Sequence, residues 1–304
     1  VNRAAEALAD LQERAFASLL GMAIGDALGA TVEFMTPGEI RQTYGTLTEI
    51  RGGGWLRLAP GQVTDDTQMA LCIARSVVAV GWSARDIAER FATWLRSKPP
   101  DVGNTCRRGI RRYMHYGTLA GPPSEGDAGN GAVMRIAPVA IASLADTSLL
   151  ESWAIEQAHI THHHPLSDAA CIHVGGLLHL ACTGRSREAL RRYVQSVVAS
   201  VPQFGYANYK GLCTAYVVDT MQTVFYHFFR SRSFEDCLIG TVNQGGDADT
   251  AGAIVGALAG AFYGLERIPE RWVATLDRKL VSELRTLALG LVASSPIASS
   301  RVIR

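Results

Sequence analysis

Apolar residues recur every three or four positions along most of the chain, the spacing of one buried helix face. Strict alternation of apolar and polar residues is scarce. The pattern predicts helices over residues 6–28, 67–80, 84–96, 105–116, 132–144, 149–160, 166–183, 186–199, 211–229, 234–243, 250–265 and 269–291. Glycine, proline and polar residues mark loops at 51–54, 98–103, 121–131 and 201–209. None is long or biased enough to link two domains. The expectation is one all-α domain over residues 1–304.

Two of these helices carry glycine every fourth residue. One has Gly21, Gly25 and Gly29, the other Gly252, Gly256, Gly260 and Gly264. Residues four apart share a helix face, so each helix presents a stripe without side chains. Each interior glycine costs about 1 kcal/mol relative to alanine. The expected compensation is close packing of a neighbouring helix.

Composition then narrows the class. The chain of 304 residues is 48% hydrophobic and 19% charged, which is globular rather than disordered. Its 29 basic and 28 acidic residues leave a net charge of +1 without long charge runs. That argues against nucleic-acid binding by bulk charge and against a polybasic membrane patch. The longest apolar run, 251–265, has 15 residues, whereas a membrane span needs roughly 20. Six cysteines are scattered without a C-x-x-C pair, which favours a reducing compartment over a disulfide scaffold or zinc ribbon. The polar start (Asn2, Arg3, Glu6, Asp10) offers no signal-peptide core, so a cytoplasmic setting without membrane insertion is expected.

The acidic residues cluster at two predicted helix starts. One is Thr64-Asp65-Asp66-Thr67, the other Gly245-Gly246-Asp247-Ala248-Asp249-Thr250. Taken singly, such a turn is a helix N-cap, worth about 1 kcal/mol. Two of them, each leading into a helix rich in small residues, allow a second reading. If the starts converge, four carboxylates and their neighbouring hydroxyls face one point, and bound cations would stabilise them. Hard oxygen donors select Mg²⁺ or Mn²⁺ over Zn²⁺. A paired site of that kind activates water and polarises a substrate oxygen.

Three further stretches carry polar groups. Gly25-Asp26-Ala27-Leu28-Gly29-Ala30-Thr31-Val32-Glu33 puts Glu33 just past a helix end, from where it can reach the same point. Gly126-Asp127-Ala128-Gly129-Asn130-Gly131-Ala132-Val133-Met134-Arg135 has open backbone N–H groups before a helix, which suit a phosphate or make an ordinary turn. It is no P-loop, because no Gly-Lys-Ser/Thr follows. Thr161-His162-His163-His164-Pro165 lacks the H-E-x-x-H arrangement of a zinc protease. Helix-end and surface roles are expected for most of these histidines, with one free to bond a phosphate.

In this order the motifs G-D-A-L-G-A-x-x-E, T-D-D-T, D-x-G-N-T, G-N-G-A-x-M-R, T-H and G-G-D-A-D-T resemble the ADP-ribosylglycohydrolase family along nearly the whole chain. The 127–138 stretch and the histidine triplet are most similar to its bacterial branch that reactivates dinitrogenase reductase. The resemblance implies a compact orthogonal helix bundle with two divalent metal ions, Mn²⁺ before Mg²⁺. Carried over by position, the metal ligands would be Thr64, Asp65, Asp66, Asp247, Asp249 and Thr250, with Glu33 at a position whose role varies. Asp127, Gly129, Asn130, Gly131 and Met134 would hold ribose and diphosphate, His162 the phosphates, and Tyr216 would lie near the bound ADP-ribose. Asp101 and Asn104 would border the scissile bond, with Asp101 or Asp66 moving the proton.

The implied reaction is hydrolysis of the N-glycosidic bond between ADP-ribose and an arginine of a protein. The implied protein substrate is ADP-ribosylated dinitrogenase reductase, and ADP-ribose is the product. A PII-type signalling protein is the implied regulator, with membrane association only through a partner. Three alternatives stay open at this point: cleavage of O-linked ADP-ribose, a non-catalytic ADP-ribose reader, and an unrelated Mg²⁺-dependent phosphohydrolase.

Overall fold

The computed structural model describes residues 2–299. Fifteen α-helices follow one another: α1 (Asn2–Gly29), α2 (Pro37–Tyr44), α3 (Asp65–Val80), α4 (Ala84–Arg96), α5 (Asn104–Tyr116), α6 (Ala137–Ala142), α7 (Thr147–His159), α8 (Pro165–Cys182), α9 (Arg187–Ser200), α10 (Val217–Arg230), α11 (Phe234–Val242), α12 (Ala248–Tyr263), α13 (Glu270–Thr275), α14 (Arg278–Ser294) and α15 (Pro296–Ser299). Among the described residues the only β-pairings are the isolated bridges Gly53–Leu58 and Gly129–Tyr216. The expected all-α fold is therefore observed. No described helix is long and apolar enough to cross a membrane.

The glycine stripes find each other. A Cβ on Gly21 would lie 2.2 Å from Gly256 O, on Gly25 1.9 Å from Gly252 O, and on Gly29 2.2 Å from Ala248 O. As one index rises by four its partner falls by four, so α1 and α12 run antiparallel with their backbones in contact. Every residue from Ala248 to Ala261 is buried, and one hydrophobic core surrounds the pair. The register matters for function, because it sets the end of α1 beside the start of α12.

Four expectations need correction. Gly264 is not part of the stripe; it ends α12 with φ +86°. The 132–144 helix shrinks to α6, because Pro138 lacks an N–H and fits only the first helical turn. Residues 131–135 instead wind as separate turns that start from Asn130 O. The 211–229 helix starts only at Val217; the preceding segment binds across to Asn130 N and Asp247 N through Ala215 O and Cys213 O, at 3.0 and 2.9 Å. The 269–291 helix is two helices, since Asp277 caps the second by accepting from Lys279 N and Leu280 N at 2.7 and 3.1 Å.

Candidate functional site

The site is built where α1, α3 and α12 meet. Asp26, fully buried on α1, reaches across to the start of α3. It accepts from Thr64 N and Thr67 N at 3.0 and 3.1 Å, and from Thr64 Oγ1 and Thr67 Oγ1 at 2.9 and 2.5 Å. The helix cap of α3 thus comes from another helix. Thr64 makes no side-chain cap of its own, and neither does Asp247 at the start of α12. The capping role considered for both acidic turns is therefore not what their carboxylates do.

They line one cavity of about 270 Å³, together with Glu33 and Asp101. Six carboxylates share that space: Glu33, Asp65, Asp66, Asp101, Asp247 and Asp249. One oxygen each of Glu33, Asp101 and Asp249 lie within 4.8 Å of one another. Burial pushes Asp65 up to about 7 and Glu33 up to about 8, with neighbouring carboxylates adding to both. Asp66 and Asp249 are raised well above the carboxylate range, first by burial and then by their acidic neighbours. Asp66 Oδ1 is buried without a hydrogen-bond partner among the described residues.

The other donors each hold one acid in place. Gly103 N donates to Asp65 Oδ2 at 3.1 Å, Asn130 Nδ2 to Asp247 Oδ2 at 2.7 Å, and Trp55 Nε1 to Glu33 Oε2 at 2.6 Å. Thr250 N donates to Asp249 Oδ1 at 2.9 Å. An all-oxygen donor set, an unpartnered buried carboxylate oxygen and a crowd of like charges fit divalent cations of the Mg²⁺ or Mn²⁺ type.

Most expected site residues come together. Asp65, Asp66, Asp247, Asp249, Thr250, Glu33, Asp101, Asn104, Gly129, Asn130, Gly131, Met134 and His162 all line the cavity. Three do not. Thr64 lies behind it, its hydroxyl 3.2 Å from Asp66 Oδ2. Asp127 is engaged by the Arg108 guanidinium and by His163 N at 3.1 Å, so it braces the glycine loop from outside. Tyr216 stands half-exposed at the start of α10, tied to the loop by the Gly129 bridge.

The glycine loop rests on His162. A Cβ on Gly129 or Gly131 would come within 3.0 or 2.8 Å of the imidazole, so only glycine lets the backbone lie on that ring. Burial pushes His162 down to about 3, so the ring is neutral. Its neighbours in the triplet are structural: His163 Nδ1 lies 2.6 Å from Gly121 O, and His164 Nδ1 caps α8 by accepting from Leu166 N at 3.1 Å. His159 stacks on His163 with ring centroids 3.6 Å apart, and its Nε2 lies 3.1 Å from the Asp168 carboxylate.

No motif in the sequence gives Asp26 or Trp55 a role. Asp26 had a signal, being a lone acid on an otherwise apolar helix stretch that carries the glycine stripe. Trp55 had none, because only the fold brings its loop to Glu33. It and Phe34 form an exposed aromatic pair beside the acids, with centroids 5.4 Å apart.

The profile of the ADP-ribosylglycohydrolase family covers residues 7–298, and the chain belongs to that family. It is 55% identical to the ADP-ribosyl-[dinitrogen reductase] glycohydrolase of Rhodospirillum rubrum, over 93% of this chain and 97% of that protein. It is 32% identical to the ADP-ribosylarginine hydrolase Tri1 of Serratia proteamaculans (strain 568), over 87% of this chain and 75% of that protein. A solved structure described as an ADP-ribosylglycohydrolase-related protein complex superposes with a TM-score of 0.82 at 36% identity, covering 94% of this chain and 99% of that one.

Proposed function

We propose that this chain is a hydrolase that removes ADP-ribose from a modified arginine of a protein, dinitrogenase reductase being the substrate. The observation that carries the reading is the 55% identity to the Rhodospirillum rubrum enzyme across 93% of the chain. The acidic cavity supports it with the chemistry that such a reaction needs.

Water is added across the bond: its oxygen joins ribose C1″, the C1″–N bond breaks, and the guanidine leaves with a proton. Asp65, Asp66, Asp247, Asp249 and Thr250, with Glu33, would hold two divalent ions, Mn²⁺ or Mg²⁺, which supply charge neutralisation, polarisation of ribose hydroxyls and an activated water. Asp101 is the least buried acid of this set, and desolvation still raises its pKa, which suits a group that moves the proton. Asp66 is the second candidate for that step. Asn104 and the 129–134 loop offer donors to the sugar and diphosphate, and Tyr216 stands at the rim. A PII-type protein would act as the regulator.

The test is turnover of ADP-ribosylarginine protein with Mn²⁺ present. Asp247→Ala is expected to lose Mn²⁺ binding and turnover together; near-normal turnover would reject the ligand set. Asp101→Ala is expected to keep Mn²⁺ and lose rate. A serine-linked substrate run in parallel decides the bond, since the reading requires preference for the arginine linkage.

A further inference from the structure

Behind His162 lies a buried cation that the proposed reaction does not use. Arg135 is fully buried and pairs with no carboxylate among the described residues. Its Nε donates to Gln157 Oε1 at 2.7 Å, and its Nη2 to Gln157 O and Thr161 Oγ1 at 2.9 and 2.8 Å. Its Nη1 faces the sulfurs of Met69 and Cys106 at 3.8 and 3.7 Å, and the guanidinium lies over Phe91 at 4.7 Å. Thr161 Oγ1 is in turn 2.8 Å from His162 Nδ1.

The direction of this chain follows from the donor inventory. A guanidinium only donates, so Thr161 Oγ1 accepts from Arg135. The hydroxyl then has one proton to give. Among the described residues the acceptors within its reach are His162 Nδ1 and the Cys106 thiol, and sulfur is the weaker. The proton goes to Nδ1, which makes Nδ1 an acceptor and leaves the ring hydrogen on Nε2. His162 lines the cavity, and its Nε2 has no hydrogen-bond partner among the described residues.

We propose that Arg135 and Thr161 are positioning residues that hold His162 as the neutral Nε2–H tautomer, so that its ring donates to the anionic diphosphate of an ADP-ribose ligand. The ligand half rests on the proposed function; the tautomer half does not. The buried cation polarises the relay toward the cavity without placing a second charge in it. A neutral donor fits a site whose other walls already carry six carboxylates, because it binds the anion without pairing with an acid.

The experiment uses the full chain labelled with ¹⁵N-histidine, with Mg²⁺ as a diamagnetic ion. His162→Gln assigns the His162 signals by their loss. Long-range ¹H–¹⁵N correlations are expected to show Nδ1 unprotonated and Nε2 protonated in the free protein. ADP-ribose and ADP are expected to shift the Nε2–H signal, and ribose is not. Thr161→Val is expected to give mixed tautomers and about tenfold weaker ADP-ribose binding, the loss of one hydrogen bond to an anion, with Thr161→Ser restoring both. A protonated Nδ1 in the wild type overturns the relay, whether or not Thr161→Val folds. A single tautomer unmoved by ADP-ribose overturns the ligand half. Failure of arginine-linked turnover alone would reject the hydrolase reading and leave both spectroscopic results standing.

Discussion

Gly25 and Gly252 face each other with no room for a side chain, since a Cβ on Gly25 would stand 1.9 Å from Gly252 O. This contact fixes the register of α1 against α12. It thereby places Asp26 and Glu33 beside Asp247 and Asp249.

Gly25→Ala should therefore destabilise the protein although alanine favours helix. The propensity gain is about 1 kcal/mol, against about 3 kcal/mol or more for forcing two backbones apart. Gly38→Ala is the control, because its nearest neighbour would be Thr36 Oγ1 at 3.7 Å. Urea midpoints are expected to fall for the first and hold or rise for the second. Equal midpoints would mean that the stripe is not a packing surface.

Asp26→Asn should loosen the start of α3. The carboxylate accepts from four donors of Thr64 and Thr67, whereas an amide offers one oxygen and adds two hydrogens of its own. Orphaned buried donors cost about 1–3 kcal/mol each. The expected outcome is a lower urea midpoint with weaker Mn²⁺ binding, read by isothermal titration. Unchanged Mn²⁺ affinity would show that the cap does not position Asp65 and Asp66.

Stability of the metal-free chain should fall as pH rises above neutrality. Asp65 and Glu33 are pushed up to about 7 and about 8 from 3.8 and 4.5, and Asp26 to about 6, so the folded chain holds protons that the unfolded chain releases. Their contribution is complete below about pH 4 and is lost as pH climbs through those values. His162 and His227, pushed down by burial to about 3 and about 4 from 6.5, act oppositely, and only as pH drops below 6.5. Between pH 6.5 and about 8 the carboxyls therefore decide the sign. Urea midpoints in EDTA should decline over that interval; a rising midpoint would contradict the crowding of acids.

Divalent cations should reverse this penalty. A ligand bound only by the folded state stabilises by about 2.7 kcal/mol at a hundredfold excess over its Kd. Saturating Mn²⁺ is expected to raise the thermal midpoint, and chelation to lower it. Asp66→Asn should raise the metal-free midpoint by removing one buried acid, and should abolish most of the gain from Mn²⁺. A full Mn²⁺ response in that variant would exclude Asp66 as a ligand.

Helical periodicity, the two glycine stripes and the ordered motifs were enough to read the all-α class, the family and most of the cavity lining from the chain alone. Each is a local property: a repeat of three or four residues, a spacing of four, or a short stretch such as Asp247-Ala248-Asp249-Thr250. Tertiary structure decided what those groups do. It turned Asp26 into the cap of a different helix, brought Trp55 to Glu33, gave Asp127 to Arg108, and set Arg135 behind Thr161 and His162. These are contacts between residues 19 to 41 positions apart, and no periodicity encodes them. Acids repel one another in water, and it is the backbone packing of α1 on α12 that holds them together against that repulsion.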